Sequence, residues 1–413
     1  MTDYQAGKKW DIGLQEAVSI TLDSLRRLPA ATLPVAEVSG LAAAEDLFAG
    51  VDCPSAASSL RDGYAIRSKD TKGASQARPA RLRVAGASSA GDLNNKTLEP
   101  GLALKVLTGA RVPAGADAVV AVEHAREEDG YIVCSREVPG GCNLLSRGAD
   151  VASGERVAAR GEILTPGLTG LLAAAGIDQA PVIPLPRVAV VATGDEVVAP
   201  GHAIQPGQLY ASNLITLCSW LRSFRMEAKT GVVKDRSAAI QEAVAALLPW
   251  ADVLLTSGGA WKSERDLTVR VIEEMGCIFL FHRVRMGPGK AVAFGMMGQK
   301  AVFCLPGGPP SNEMAFLQIA LPGLLYMAGR PPVPFQTRKV RLAATVAGDI
   351  AWTRFIHARM EQRDGKWWAV PQRMKSRLQS QARAEALIRI PEGAGTLAAG
   401  QAADVQLLRS PCV

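Results

Sequence analysis

Three carboxylates stand just beyond short apolar runs: Glu196 after VAVVAT (188–193), Asp235 after GVVK (231–234) and Asp266 after DVLLTS (252–257). Carboxylates so placed can hold Mg²⁺ through its waters, since magnesium takes one or two carboxylates together with oxygens of a ligand. The same loops carry Thr193-Gly194-Asp195 and Ser257-Gly258-Gly259, and a fourth run, AVFCL (301–305), leads into Pro306-Gly307-Gly308-Pro309. Glycine-rich turns ahead of helices present backbone N–H groups to a phosphate or oxyanion. Lys290, in MGPGKAVAFG, adds a point charge. These parts suit a nucleotide or phosphorylated cofactor with a divalent metal. Singly, each has a plainer reading: Asp195 as a turn residue, Asp235 and Asp266 as helix caps, the Pro-Gly-Gly-Pro run as a rigid corner. Their recurrence in four loops favours a site.

The elements that must position these loops alternate from Arg187 onward. Strands are expected at 188–193, 230–235, 252–257 and 301–305, and helices at 212–224 (capped by Ser212 or Asn213), 237–248, 266–275 and 311–321. Repeated βα units imply a parallel sheet with right-handed crossovers, which brings all four loops to one edge. In open α/β sheets, ligands bind outside the carboxyl ends of the strands.

The remaining chain divides by texture. Residues 13–27 place Leu14, Val18, Leu22 and Leu25 at helical spacing, and GLAAAEDLFAG (40–50) reads as a second helix ending at Gly50. Residues 51–141 read as a small β-rich module, in which Asp62-Gly63 of LRDGYAI is expected to be a hairpin turn. A helix is expected after Thr165-Pro166. Beyond the stiff Pro331-Pro332-Val333-Pro334 linker, the runs KVRLAATVA, KWWAV, ALIRI and DVQLL, with turns at Asp364-Gly365 and Glu392-Gly393, suggest a small β-barrel or sandwich. The expected class is multidomain α/β. It comprises a discontinuous N-terminal domain (8–50 and 142–182), an inserted β-rich domain (51–141), a parallel-rich α/β domain (183–330) and a C-terminal β-barrel (331–413).

Composition excludes several classes. Hydrophobic residues make up 48% of the 413 and charged residues 21%, a globular balance. The seven cysteines contain no CxxC pair, which argues against a disulfide framework or zinc site, and the four histidines are scattered. The start, MTDYQAGKKWDIG, lacks a signal-peptide core, and the apolar stretch 315–328 is interrupted by Gln318 and Pro322. A cytoplasmic protein is expected, with no membrane partner. From Pro331 onward 13 Lys+Arg face 6 Asp+Glu, which accounts for the whole net charge of +7. Nucleic acid, a small polyanion and an arginine-rich solvated face each fit that excess.

Taken in order, the motifs resemble those of the molybdopterin molybdenumtransferases, the MoeA-like proteins that include the E domain of gephyrin. LRDGYAI (60–66), KVLTGARVPAGADAVVAVE (105–123), SRGADVASGE (146–155), VAVVATGDEVV (188–198), LTSGGAWKSERD (255–266), PGKAVAFG (288–295) and LPGGPPS (305–311) lie at family spacing over nearly the whole chain. The resemblance implies a homodimer of four-domain subunits, with a molybdopterin-binding α/β domain and a final β-barrel. It implies insertion of molybdate into adenylylated molybdopterin, with Mg²⁺-assisted release of AMP and no nucleic-acid partner. It further implies that Asp62, Thr108 and Asp150 contribute from the first half. Glu196, Asp235 and Asp266 would position pterin and metal, Lys290 would face an anion, and Pro306 and Pro309 would shape the pocket. A molybdopterin adenylyltransferase or a molybdoenzyme-maturation protein is the kind of partner implied. The chain departs from the family pattern at Trp261, Lys262-Ser263, Ala211, Gly287, Ala291 and Gly308, and RLQSQARAEALI (377–388) lacks the usual GSG turn. An alternative reading follows from these departures: a catalytically impaired paralogue serving as a molybdopterin-binding or assembly scaffold.

Overall fold

A computed structural model describes residues 9–89, 91, 97–258, 267–372 and 376–411. The chain forms two compact units, residues 1–31 with 183–413, and residues 32–182.

In the first unit a seven-stranded sheet has the order 9–12, 278–284, 293–297, 300–305, 253–257, 188–193, 228–233. Strands Val188–Thr193 and Val253–Ser257 are buried at every position, as their unbroken apolar runs require of central strands covered on both faces. Strand Val188–Thr193 pairs in parallel with Ala228–Val233 and Val253–Ser257, which pairs in parallel with Lys300–Leu305. Strand Ala293–Met297 runs antiparallel to both of its neighbours, so the sheet is mixed rather than wholly parallel. Helices Ser212–Ser223, Ser237–Leu247 and Leu267–Glu274 follow their strands, close to expectation. The expected cap at Ser212 or Asn213 is corrected: Ala211 caps the helix and makes no side-chain cap bond.

The helix expected at 311–321 runs further. Segments Pro309–Ala315, Phe316–Ala320 (a π-turn) and Leu321–Met327 are consecutive, and Pro322, which cannot donate to the ladder, lies just past the π-turn. Among the described residues no helix is long and apolar enough to cross a membrane.

Strand Lys9–Ile12 pairs in parallel with Ile278–Val284, and helix Leu14–Ser24 packs on Leu321–Met327. Residues 9–24 therefore belong to the same unit as 183–413, whereas the sequence expectation grouped them with 142–182. The C-terminal strands have the order 353–363, 366–371, 335–342, 402–411, 386–390, and pairing of 353–363 with 386–390 brings the ends together into a partly closed barrel. Strand Thr353–Arg363 was not anticipated from sequence; the hairpin at Asp364-Gly365 was, and both residues have positive φ (47° and 72°).

The second unit carries a six-stranded sheet in the order 126–128, 131–134, 80–88, 102–106, 63–66, 118–121. Two expectations fail here. GLAAAEDLFAG is not helical: Ala42–Ala43 and Leu47–Phe48 are short strands, because Ala43 N–H donates to Glu162 O (2.9 Å) and Ala49 N–H to Glu155 O (2.8 Å). Long-range pairing overrides the helix propensity of the alanines. Asp62-Gly63 is not a hairpin turn either, since Ser58–Ser59 pairs with Leu144–Leu145, and Gly63 opens a strand paired with 102–106 and 118–121. A Cβ at Gly63 would stand 2.0 Å from Val120 O, so strand packing, not a turn, requires glycine. Helix Pro166–Ala174 is as expected, with Thr165 Oγ1 accepting from Leu168 N–H at 3.2 Å.

Candidate functional site

Four loops leave the carboxyl ends of parallel strands 188–193, 228–233, 253–257 and 300–305 on one edge of the sheet, as expected. Their backbones interlock. Gly194 N–H donates to Val233 O (3.2 Å) and Gly258 N–H to Leu305 O (3.3 Å). Gly258 has φ +112°, and a Cβ there would stand 2.3 Å from Thr193 O; at Gly307 it would meet Gly258 Cα at 3.7 Å. Three of the loops are thus packed backbone against backbone, and the small residues predicted there are sterically required at 258.

The charged groups divide by loop. Asp235 N–H donates to Asp195 Oδ1 (3.3 Å), and Lys234 Nζ donates to Asp195 O (2.6 Å). The Asp235 carboxyl is raised above its ordinary value, first by desolvation and then by the charges of Asp195 and Glu196, while a hydrogen bond from the Thr193 hydroxyl opposes the shift. Negative potential thus concentrates at this corner. Among the described residues no group of three or more His, Cys, Asp or Glu could hold a metal ion. Gly259 and Asp266, with Trp261 and Lys262, lie outside the described residues.

Apolar burial and amides hold the neighbouring corner. Asn312, 1% exposed, donates through Nδ2 to Ser257 Oγ (3.0 Å) and Pro306 O (2.9 Å), while its N–H bonds Gly308 O (2.8 Å). Asn213 Nδ2 donates to Gly307 O (2.8 Å), and Pro309 occupies the first turn of the helix that follows. Thr193, also buried, lies 3.3 Å from the Thr268 hydroxyl. On the same helix, buried Glu313 accepts from Trp220 Nε1 (2.9 Å) and lies 3.3 Å from His357 Nε2, tying the helix to the barrel. Sequence reading missed Asn312, Glu313 and Thr268 as supports. Sequence alone marks Asn213 only as a helix cap.

Lys290 lies on a separate loop, with Nζ 4.5 Å from the centroid of Trp352, and a Cβ at adjacent Gly289 would stand 2.5 Å from Met286 Cε and 3.4 Å from Ala315 N. Asp62, Thr108 and Asp150 fall in the second unit. There Asp62 Oδ1 accepts from both the N–H and the hydroxyl of Thr108 (each 2.7 Å), which lowers its pKa from the ordinary value. Exposed Asp150 donates its N–H to Cys53 O at 2.9 Å.

Comparison with known proteins places this geometry among relatives. Residues 12–176 match the family description "MoeA N-terminal region (domain I and II)", residues 189–326 "Probable molybdopterin binding domain" and residues 339–408 "MoeA C-terminal region (domain IV)". Molybdopterin molybdenumtransferase 2 of Mycobacterium tuberculosis is 32% identical over 397 residues, covering 94% of this chain and 97% of the relative. The molybdopterin molybdenumtransferase of Bacillus subtilis is 30% identical over 374 residues, 89% of this chain and 87% of the relative. A crystal structure of a molybdopterin biosynthesis MoeA protein from Pyrococcus horikoshii superposes with a TM-score of 0.82 at 32% identity, covering 96% of this chain and 99% of that one.

Proposed function

Because the chain belongs to the MoeA family of molybdopterin molybdenumtransferases, a transferase family of molybdenum cofactor biosynthesis, we propose that its strand-end loops bind adenylylated molybdopterin and accept molybdate, with release of AMP. The observation that carries this reading is the interlocking of loops 193–196, 257–258 and 305–309 on one sheet edge, with backbone groups and carboxylates side by side.

Cleaving the adenylyl group requires positioning and charge neutralisation rather than a covalent nucleophile. In this reading the glycine turns at 258 and 307 let substrate approach the backbone, and Pro306 and Pro309 fix the pocket wall. Lys290 faces an anionic group. Glu196 and Asp235, hard carboxylates whose mutual repulsion a cation would relieve, are the residues that would hold Mg²⁺, and Asp266 would join them on the family resemblance. When bound, the cation supplies charge neutralisation at the phosphate. Asp62, Thr108 and Asp150 are proposed as substrate contacts on the family resemblance. So too are the homodimer, the adenylyltransferase or maturation-protein partner and the cytoplasmic setting.

The test is release of AMP from adenylylated molybdopterin by purified protein with molybdate. Release should require Mg²⁺ and stop with a chelator. Protein that binds molybdopterin tightly yet releases no AMP would overturn the enzyme reading in favour of a scaffold.

A further inference from the structure

The barrel of residues 335–411 has an open mouth. Strands 335–342 and 366–371 pair only at Arg341 with Trp368 and at Leu342 with Ala369. Ahead of those pairs they diverge, leaving a cavity of about 540 Å³. Register shows which side chains face it. Arg338 lies opposite buried Val405 and Val340 opposite Ala403, while Met360 lies opposite buried Ala369 and Gln362 opposite Trp367. Arg338, Val340, Met360, Trp367 and, two residues beyond Val405, Leu407 therefore share the inward face. Val340, Met360 and Leu407 continue the barrel core and form an apolar floor.

The rim is basic, and half of it is uncommitted. Lys339 pairs with Asp404 (3.2 Å), and Arg341 donates to Gly400 O (3.1 Å). The side chains of Arg338 and Lys366 have no hydrogen-bond or ion-pair partner among the described residues. The two tryptophans differ in the same way. Trp368 carries the Arg363 guanidinium 5.5 Å from its ring centroid, whereas Trp367, 51% exposed, has no ring or cation partner among the described residues. An apolar cavity of a few hundred Å³ with a few polar groups at its edge is the usual form of a small-molecule site.

We propose that this barrel mouth binds a small anion with a planar aromatic body, of the nucleoside monophosphate class. The base stacks on Trp367 above the apolar floor, and the phosphate is held by Arg338 and Lys366. The volume of about 540 Å³ falls within the range of small-molecule sites. Charge complementarity follows from the two free cations, and stacking on indole is tolerant of base identity.

The site is tested with AMP and, in parallel, inorganic phosphate, by calorimetry and tryptophan fluorescence on the full chain. AMP should quench fluorescence and bind at least about tenfold more tightly than phosphate, because phosphate lacks the stacking contribution. Arg338→Ala and Trp367→Leu should each remove this class of AMP sites, and Trp367→Leu should remove the quench. Both should leave AMP release from adenylylated molybdopterin unchanged, which separates this site from the strand-end loops. Lys366→Glu, at an exposed position, should weaken AMP binding without disturbing the apolar floor. AMP binding no tighter than phosphate would overturn the proposal, as would titrations in which neither the Arg338 nor the Trp367 change removes a class of AMP sites.

Discussion

Two aspartates illustrate how differently a carboxylate can be held. Asp62 accepts two hydrogen bonds from Thr108, which favour its ionised form, whereas Asp235 is disfavoured as an anion by desolvation and by the neighbouring charges of Asp195 and Glu196. The signs for stability are therefore opposite. Asp62 contributes stability above its unfolded-state range, near 3.8, and that contribution is lost as pH falls through its lowered value. Asp235, raised above 3.8, costs stability as pH climbs past that point. Asp62→Asn should thus melt lower than wild type at neutral pH, with the gap closing in acid. Asp235→Asn should melt higher, also converging in acid, while AMP release falls on the order of 100-fold or more. Mg²⁺ should raise the melting temperature of wild type and leave Asp235→Asn unmoved. Melting curves from pH 3 to pH 8, with and without Mg²⁺, read all of this; equal melting of Asp235→Asn and wild type at pH 7 would remove Asp235 from the charged corner.

At the scale of elements, the strand-end turns are held by close backbone approach, and two glycines with the same apparent role separate cleanly. Gly258→Ala would force a Cβ to 2.3 Å from Thr193 O at φ +112°. The backbone conformation alone costs about 1–3 kcal/mol, and the clash must also push strand 188–193 and strand 253–257 apart. Gly307→Ala meets only Gly258 Cα at an ordinary 3.7 Å. Melting temperature and turnover should both drop for the first and stay near wild type for the second; equal effects would show that these loops are not interlocked as described. Much of this edge is legible in the sequence, because strands buried on both faces leave unbroken runs such as VAVVAT and DVLLTS, and their ends leave glycines and carboxylates. The supports are not legible. Asn312 reaches Ser257 across 55 residues and Asn213 reaches Gly307 across 94, and no local spacing encodes such bonds. Strand Thr353–Arg363 escapes for a related reason: only Thr353, Phe355 and Ala358 are fully buried, so the 11-residue run reads as charged surface.

Over the whole molecule, adjacency in sequence misleads most at the N-terminus. Residues 8–50 share helical texture with 142–182, which groups the two in sequence, yet the first elements are built into the other unit. Lys9 pairs with Phe281 and Ile12 with Val284, the Trp10 ring lies 4.8 Å from that of His282, and Leu28 N–H reaches Met327 O at 2.8 Å. Ile12, Leu14, Ala17 and Leu25 are buried in one core cluster with Phe281, Phe303 and Leu321. The consequence can be tested without cutting the chain. Leu14, 6% exposed, stands at the start of helix Leu14–Ser24, and Leu14→Ala should cost about 2–5 kcal/mol as a core truncation. That loss should be local to one unit. Hydrogen exchange should quicken in strand 278–284 and helix 321–327, which touch this segment, and remain as in wild type in strands 63–66 and 118–121 and in helix 166–174. Quickening in helix 166–174 instead would mean that the N-terminal helix is energetically part of residues 142–182, as the sequence alone had suggested, and that its packing on the α/β sheet contributes little.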